Sequence, residues 1–165
     1  MDYKRTSLKI IVYCLVFSVL HFLYMFFPYD LVALISCNGE SVFQHLKLAF
    51  YSYIITSVIE YKLYGGDKNF WIMRLLSSNL MGLIQMMFWY IPFVFIGQME
   101  DMSIKLPYAY FIQVMCVIWL CAFEESKIGF TKVSKASIIF LSLVLVYLYS
   151  GYTFVMPYTD LFYTP

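Results

Sequence analysis

Charge is what this sequence has least of. Asp, Glu, Lys and Arg make up 13% of its 165 residues, against roughly a quarter in a soluble domain. Hydrophobic residues make up 62% and the mean hydropathy is +0.76. So few polar side chains cannot cover a surface that meets water on every side, which excludes an ordinary soluble fold. A net charge of +1 with no run of Lys or Arg provides no field for nucleic acid. Cysteine is sparse and unpatterned. Cys14, Cys116 and Cys121 lie in apolar runs, Cys37 lies in an expected loop, and no C-x-x-C pair occurs. That arrangement excludes a disulfide or metal framework and leaves small buried hydrophobes. Internal repeats, phosphate loops, serine triads and paired catalytic carboxylates are also missing, and no cofactor is implied.

What the sequence does have is apolar length. A helix needs about 20 apolar residues to cross a bilayer, and five stretches reach or approach that, at about 8–27, 42–64, 75–96, 107–123 and 136–155. They are bounded by Pro28, by Gly65-Gly66, by Glu124-Glu125 and by Met156-Pro157. The expectation is an all-α integral membrane bundle of about five transmembrane helices, forming one domain over residues 1–165. The first stretch follows Lys4, Arg5 and Lys9, as a signal peptide would. It is longer than a signal core and lacks a small-x-small cleavage site, so it reads as a retained span.

Charge asymmetry sets the direction. With the N-terminus in the cytoplasm, the inner segments hold Lys4, Arg5, Lys9, Lys62, Lys68, Arg74, Lys127, Lys132 and Lys135. The outer side keeps Lys47 and Lys105, so every loop obeys the positive-inside rule and the C-terminus lies outside. The expected location is a bacterial cytoplasmic membrane, crossed several times.

The second stretch carries most of the polar information. Ser41-Val-Phe-Gln44 is a capping-box pattern that starts a helix at Ser41. From there Ser41, His45, Ala49, Ser52, Thr56 and Glu60 recur at steps of three and four, one stripe down one face. Small and polar residues in that register face a bundle interior. They serve close packing with interhelical hydrogen bonds, or they line a polar path. Lys47 and Glu60 bracket the apolar core. Lys47 reads as snorkelling to an interface; Glu60 is either an interfacial partner of Lys62 or a functional carboxylate. Glu124 and Glu125 are expected to pair with Lys127 or with water. His21 and His45 are the only histidines. Helix rise puts them roughly 10 Å and 6 Å below the outer ends of neighbouring antiparallel spans. They can therefore share a depth, near Glu40 and Ser41. Two histidines and a carboxylate make a weak candidate zinc site, a proton relay, or two separate hydrogen-bonded side chains.

The runs His21-Phe-Leu-Tyr24, Glu40-Ser-Val-Phe-Gln-His-Leu-Lys47 and Glu60-Tyr61, with Thr153-Phe154, Pro157, Leu161-Phe162 and Pro165 near the end, carry a resemblance. The chain resembles a family of small bacterial multi-spanning membrane proteins classed as a domain of unknown function. These carry an Asn-Glu-Ser-Val-Trp-Glu-His-Leu-Lys run opening the second helix. Gly39, Phe43 and Gln44 depart from that run, standing for its Asn, Trp and second Glu. The resemblance implies the same multi-spanning architecture and points to Glu40, His45, Lys47 and Glu60. It implies no mechanism.

Three functional readings follow from the residues. One is a small permease- or channel-like protein, working as an oligomer, with the stripe lining a path to Glu60. Another is an accessory or assembly subunit whose stripe binds a partner's helix. The last is a membrane enzyme acting on a lipid at the outer leaflet, using Glu40 and His45 with Lys47 on the headgroup. The candidate cluster is His21, Glu40, Ser41, His45, Lys47 and Glu60. The expected partners are the bilayer and either a second copy or a partner helix.

Overall fold

A long apolar run can satisfy its backbone only from within itself, and helices do that. The computed structural model describes residues 3–39, 41–96, 102–126 and 129–155, and all regular structure among them is helical. The elements in chain order are α1 (Tyr3–Phe26), the single turn α2 (Asp30–Ala33), α3 (Val42–Tyr64), α4 (Phe70–Ile96), α5 (Met102–Glu125) and α6 (Lys132–Phe154). Each expected stretch falls on one long helix, with the ends redrawn. α1 starts at Tyr3 because the first N–H groups of a helix need no partner within it, so charged residues there cost little. α5 starts five residues before Pro107, which sits inside the helix and leaves one backbone bond unmade. The turn α2 was not expected.

The ends of α3 show why it is positioned so definitely. Ser41 is extended, and its hydroxyl accepts a bond from the Gln44 N–H at 3.3 Å. That is half of the expected capping box. The Gln44 side chain does not reach back; it is wholly buried, with no hydrogen-bond partner among the described residues. At the other end Gly65 takes φ +68, a left-handed conformation suited to glycine, and its N–H closes on Tyr61 O at 2.8 Å.

α4 is the most connected element, packing on α3, α5 and α6; α1 lies against α3 and α5 and closes the bundle. The shared core holds Tyr13 and Phe17 of α1, Leu48, Ala49 and Tyr53 of α3, Met81 of α4, and Cys116, Val117 and Leu120 of α5. Phe43 and Phe50 pack at a tilt against Tyr149 and draw α6 towards α3. Asn79 and Ser142 exchange bonds of 3.0 and 3.1 Å between α4 and α6.

Polarity runs inside out relative to a protein in water. Lys9, Lys47, Glu60, Arg74, Gln44 and Gln113 are buried, while Ile11, Leu15, Val19 and Phe22 form an exposed apolar stripe on α1. Phe111, Met115 and Trp119 do the same on α5, and Phe140, Leu143 and Tyr147 on α6. Among the described residues, three helices, α1, α5 and α6, are long and apolar enough to cross a membrane. α3 keeps its polar residues turned inward: Gln44, Lys47, Ser52, Thr56, Ser57 and Glu60 are all buried.

Candidate functional site

The stripe read from the sequence lies where its spacing puts it. Ser41, Ala49, Ser52, Thr56 and Glu60 are buried and His45 is half-buried. Its two ends belong to two different polar groups, separated by the apolar core around Leu48, Ala49 and Met81.

At one end the histidines meet. The rings of His21 and His45 have centroids 5.4 Å apart, tilted by 36°. His45 Nδ1 lies 2.8 Å from the Ser41 carbonyl. A carbonyl only accepts, so Nδ1 carries a proton. Glu40, the expected third member, lies outside the described residues. Among the described residues no group of three or more His, Cys, Asp or Glu is placed to hold a metal.

Lys47 departs from expectation. It does not snorkel; it is 0% exposed. Its ammonium donates to Ala33 O at 2.7 Å and to Thr153 Oγ1 at 3.1 Å, joining α3 to the α2 turn and to the end of α6. The long stem that would have carried the charge outward is covered by those two elements.

The other end is the principal site. Glu60 does not pair with Lys62. Its carboxylate receives Arg74 through two parallel bonds, Nη2 to Oε1 at 2.8 Å and Nε to Oε2 at 3.0 Å. Arg5 Nε adds a contact at 2.8 Å and Lys9 Nζ one at 3.2 Å. Glu124 is the second anion, and its described partners lie inside the bundle rather than on the following loop. Lys9 Nζ reaches Oε2 at 2.7 Å, Arg74 Nη1 reaches the same oxygen at 2.5 Å, and the Tyr53 hydroxyl donates to Oε1 at 2.7 Å. Three cations and two carboxylates from α1, α3, α4 and α5 thus form one network, with Glu60 only 6% exposed. Aromatic faces complete the shell, with Tyr53 beneath Lys9 at 4.6 Å and Phe70 beneath Arg74 at 4.5 Å.

The network faces a cavity of about 700 Å³, open at this end of the bundle. Its lining includes Arg5, Lys9, Glu60, Arg74 and Glu124, with the Gly65-Gly66 turn at its mouth. One and two turns further along α3, the hydroxyls of Thr56 and Ser52 are buried without a hydrogen-bond partner among the described residues; so are those of Tyr13 and Ser77. Of the residues singled out from the sequence, only Glu60 belongs to this site. In the sequence Arg5, Lys9, Arg74 and Glu124 present themselves as topology signals and helix ends. The signal available was their common placement at one end of four expected spans.

Comparison with protein-family models, with curated proteins and with solved structures returned no match to this chain.

Proposed function

We propose that this chain is a five-span bacterial membrane protein with its N-terminus in the cytoplasm, and that it is a small permease-like protein whose cytoplasmic vestibule binds a small polar solute. The observation that carries this reading is the open cavity floored by the Arg5–Lys9–Glu60–Arg74–Glu124 network. Ionisable side chains within a membrane bundle are expensive, and they are found where they pair with one another or serve a pathway. Here they do the first and face the second. Unpaired buried hydroxyls on Thr56 and Ser52 extend the polar character inward from Glu60.

Five spans are supported by the alternation of the long helices. Arg5, Arg74, Glu124 and Lys135 stand at one end, His21, His45 and Thr153 at the other. α4 is the most apolar of the five long helices by composition, and α3 turns most of its polar residues inward. The resemblance to the family of small membrane proteins supports the same architecture. The outer-leaflet enzyme reading loses its headgroup cation, since Lys47 is buried on neutral acceptors. Tyr53, wholly buried and bonded to Glu124, favours a carrier with a conformational cycle over an open pore.

The test is solute flux in proteoliposomes holding the purified full chain. Uptake of a polar solute, altered in Glu60→Gln, supports the proposal. An unchanged rate in Glu60→Gln removes the network from the mechanism, and no flux for any polar solute rejects the permease. Cysteine labelling from either side at positions 62, 68 and 132 tests the orientation. Labelling of all three from outside the cell reverses it.

A further inference from the structure

We infer that the rim of the bundle around the α3–α4 turn is a docking surface for the headgroup of an anionic phospholipid. It is separate from the Glu60–Glu124 network, and its placement in the cytoplasmic leaflet rests on the orientation proposed above. The sequence puts two lysines beside this turn, Lys62 in the last turn of α3 and Lys68 just before α4. Both are exposed, and neither ammonium has a hydrogen bond or ion pair among the described residues. The fold brings two more to the same place. Lys135 Nζ donates to Asn69 Oδ1 at 2.9 Å, which holds the start of α6 against the turn. Asn69 is a neutral acceptor, so that bond leaves the charge of Lys135 uncompensated. Lys132, one helical turn earlier on α6, is exposed, and its ammonium has no partner among the described residues. Asp67 is the carboxylate of the turn, and its Oδ1 accepts from the Asn69 N–H at 2.9 Å. Glu125, exposed at the end of α5, lines the vestibule with Asp67. Counting both acids, Lys62, Lys68, Lys132 and Lys135 still outnumber them by two.

Charge alone suits any anion; the apolar neighbours select a lipid. Tyr61 and Trp71 join the end of α3 to the start of α4 with ring centroids 5.1 Å apart, and both rings are exposed. Leu63 and Val133, next in sequence to Lys62 and Lys132, are exposed as well. Amphipathic aromatic rings settle at the level of the headgroups. A lysine at that level lays its stem along the acyl chains and keeps its ammonium among the phosphates. A soluble anion gains nothing from the exposed rings and aliphatic side chains, whereas a phospholipid uses both halves of the surface. The cytoplasmic leaflet carries negative charge, which attracts lysines held close to it.

Trp71 reports on the patch directly. The full chain is prepared with Trp89→Phe and Trp119→Phe, leaving Trp71 as its one tryptophan, in nanodiscs of mixed phosphatidylglycerol and phosphatidylcholine. One lipid or the other carries bromine on its acyl chains, and quenching of Trp71 fluorescence measures the local share of the brominated lipid. The expected result is stronger quenching by brominated phosphatidylglycerol than by brominated phosphatidylcholine at the same mole fraction. Lys62→Gln and Lys68→Gln should each lower that preference by up to about fivefold, the scale of one lysine near a charged membrane surface. Added sodium chloride should lower it too. A protein that keeps Trp119 alone, exposed on α5, should show no dependence on Lys62 or Lys68. Equal quenching of Trp71 by the two lipids overturns the inference, as does a preference that survives Lys62→Gln/Lys68→Gln. Both lysines are exposed and make no bond among the described residues, so these variants should fold as the parent does. Nanodiscs offer the same lipids on both faces, so the outcome is independent of orientation. Side-specific labelling that puts Lys62 outside the cell would move the surface to the other leaflet and correct the orientation alone.

Discussion

Removing one charge from the network should cost very different amounts depending on its sign. Glu124 receives Lys9 at 2.7 Å, Arg74 at 2.5 Å and the Tyr53 hydroxyl at 2.7 Å. In Glu124→Gln the three cations are left with Glu60 alone, they repel one another, and Lys9 loses its nearest anion. Breaking a buried ion pair by neutralising one partner costs ~3–5 kcal/mol, and Glu124→Gln should fall in that range. Lys9→Met keeps the bulk and the stem but leaves two cations facing two carboxylates. Glu60 keeps Arg5 and Arg74, and Glu124 keeps Arg74 and Tyr53. The loss of attraction is offset by relief of repulsion and by no longer burying an ammonium, so the cost should be about 1 kcal/mol. Both variants can be measured by reversible unfolding in mixed micelles, with Lys9→Met/Glu124→Gln closing a double-mutant cycle. The double variant should unfold less readily than Glu124→Gln alone, because it removes one of the stranded cations. Equal costs for the two single variants would refute the charge-balance argument, as would a Glu124→Gln protein as stable as wild type.

Two smaller perturbations test the scaffold around that network. A Cβ at Gly66 would come 2.5 Å from Phe70 Cγ, and Phe70 is the ring beneath Arg74. Gly66→Ala should therefore destabilise by ~1–3 kcal/mol, as overpacking does; Gly39→Ala, with nothing within 4 Å, should change little, and unfolding midpoints compare the two. Asn79→Leu removes the buried exchange with Ser142 and should cost about 1 kcal/mol, within the range of interhelical bonds in membranes. Faster proteolysis or labelling of α6 checks it, and an unaltered α6 would mean that Phe43, Phe50 and Tyr149 hold that helix by themselves.

How much of this was legible in the sequence depends on the range over which each signal acts. The stripe on α3 was legible because helical periodicity is local: steps of three and four residues fix a common face whatever surrounds it. The helix start at Ser41 was legible for the same reason, one hydroxyl acting on a backbone N–H three residues away. A shared depth for His21 and His45 followed from one further assumption, that consecutive spans are antiparallel neighbours; that their rings meet did not. Partners of Glu60 were another matter. Arg5 and Arg74 come from other helices, 55 and 14 residues away, and no spacing rule connects them. The positive-inside pattern also hid them: a Lys or Arg at the cytoplasmic end of a span explains itself as a topology signal, so Arg5, Lys9 and Arg74 raised no further question. Lys47 misled in the opposite way. Near a helix end a long stem suggests escape to the interface, and nothing local announces that the α2 turn and Thr153 cover it.

The network also determines what a transport cycle would have to do. Above the vestibule, Tyr53 is wholly buried and bonded to Glu124, with Tyr13 and Leu120 packed in the same core. A solute on the floor can go no further unless α5, which carries Glu124, parts from α1 and α3. The contacts that resist this are Lys9–Glu124 between α1 and α5, Arg74–Glu124 between α4 and α5, and the Tyr53–Glu124 bond. The Glu60–Arg74 fork joins α3 and α4, and it can stay closed throughout. Glu124 is then the latch and Glu60 the anchor, although both are buried carboxylates with similar partners. Glu124→Asp keeps the charge and shortens the reach, so one latch contact must lengthen. If the vestibule serves transport, this variant should move solute faster through proteoliposomes at some cost in stability. Glu60→Asp should lose stability without that gain. A faster rate from Glu60→Asp, or a slower one from both, would mean that the network does not divide in this way.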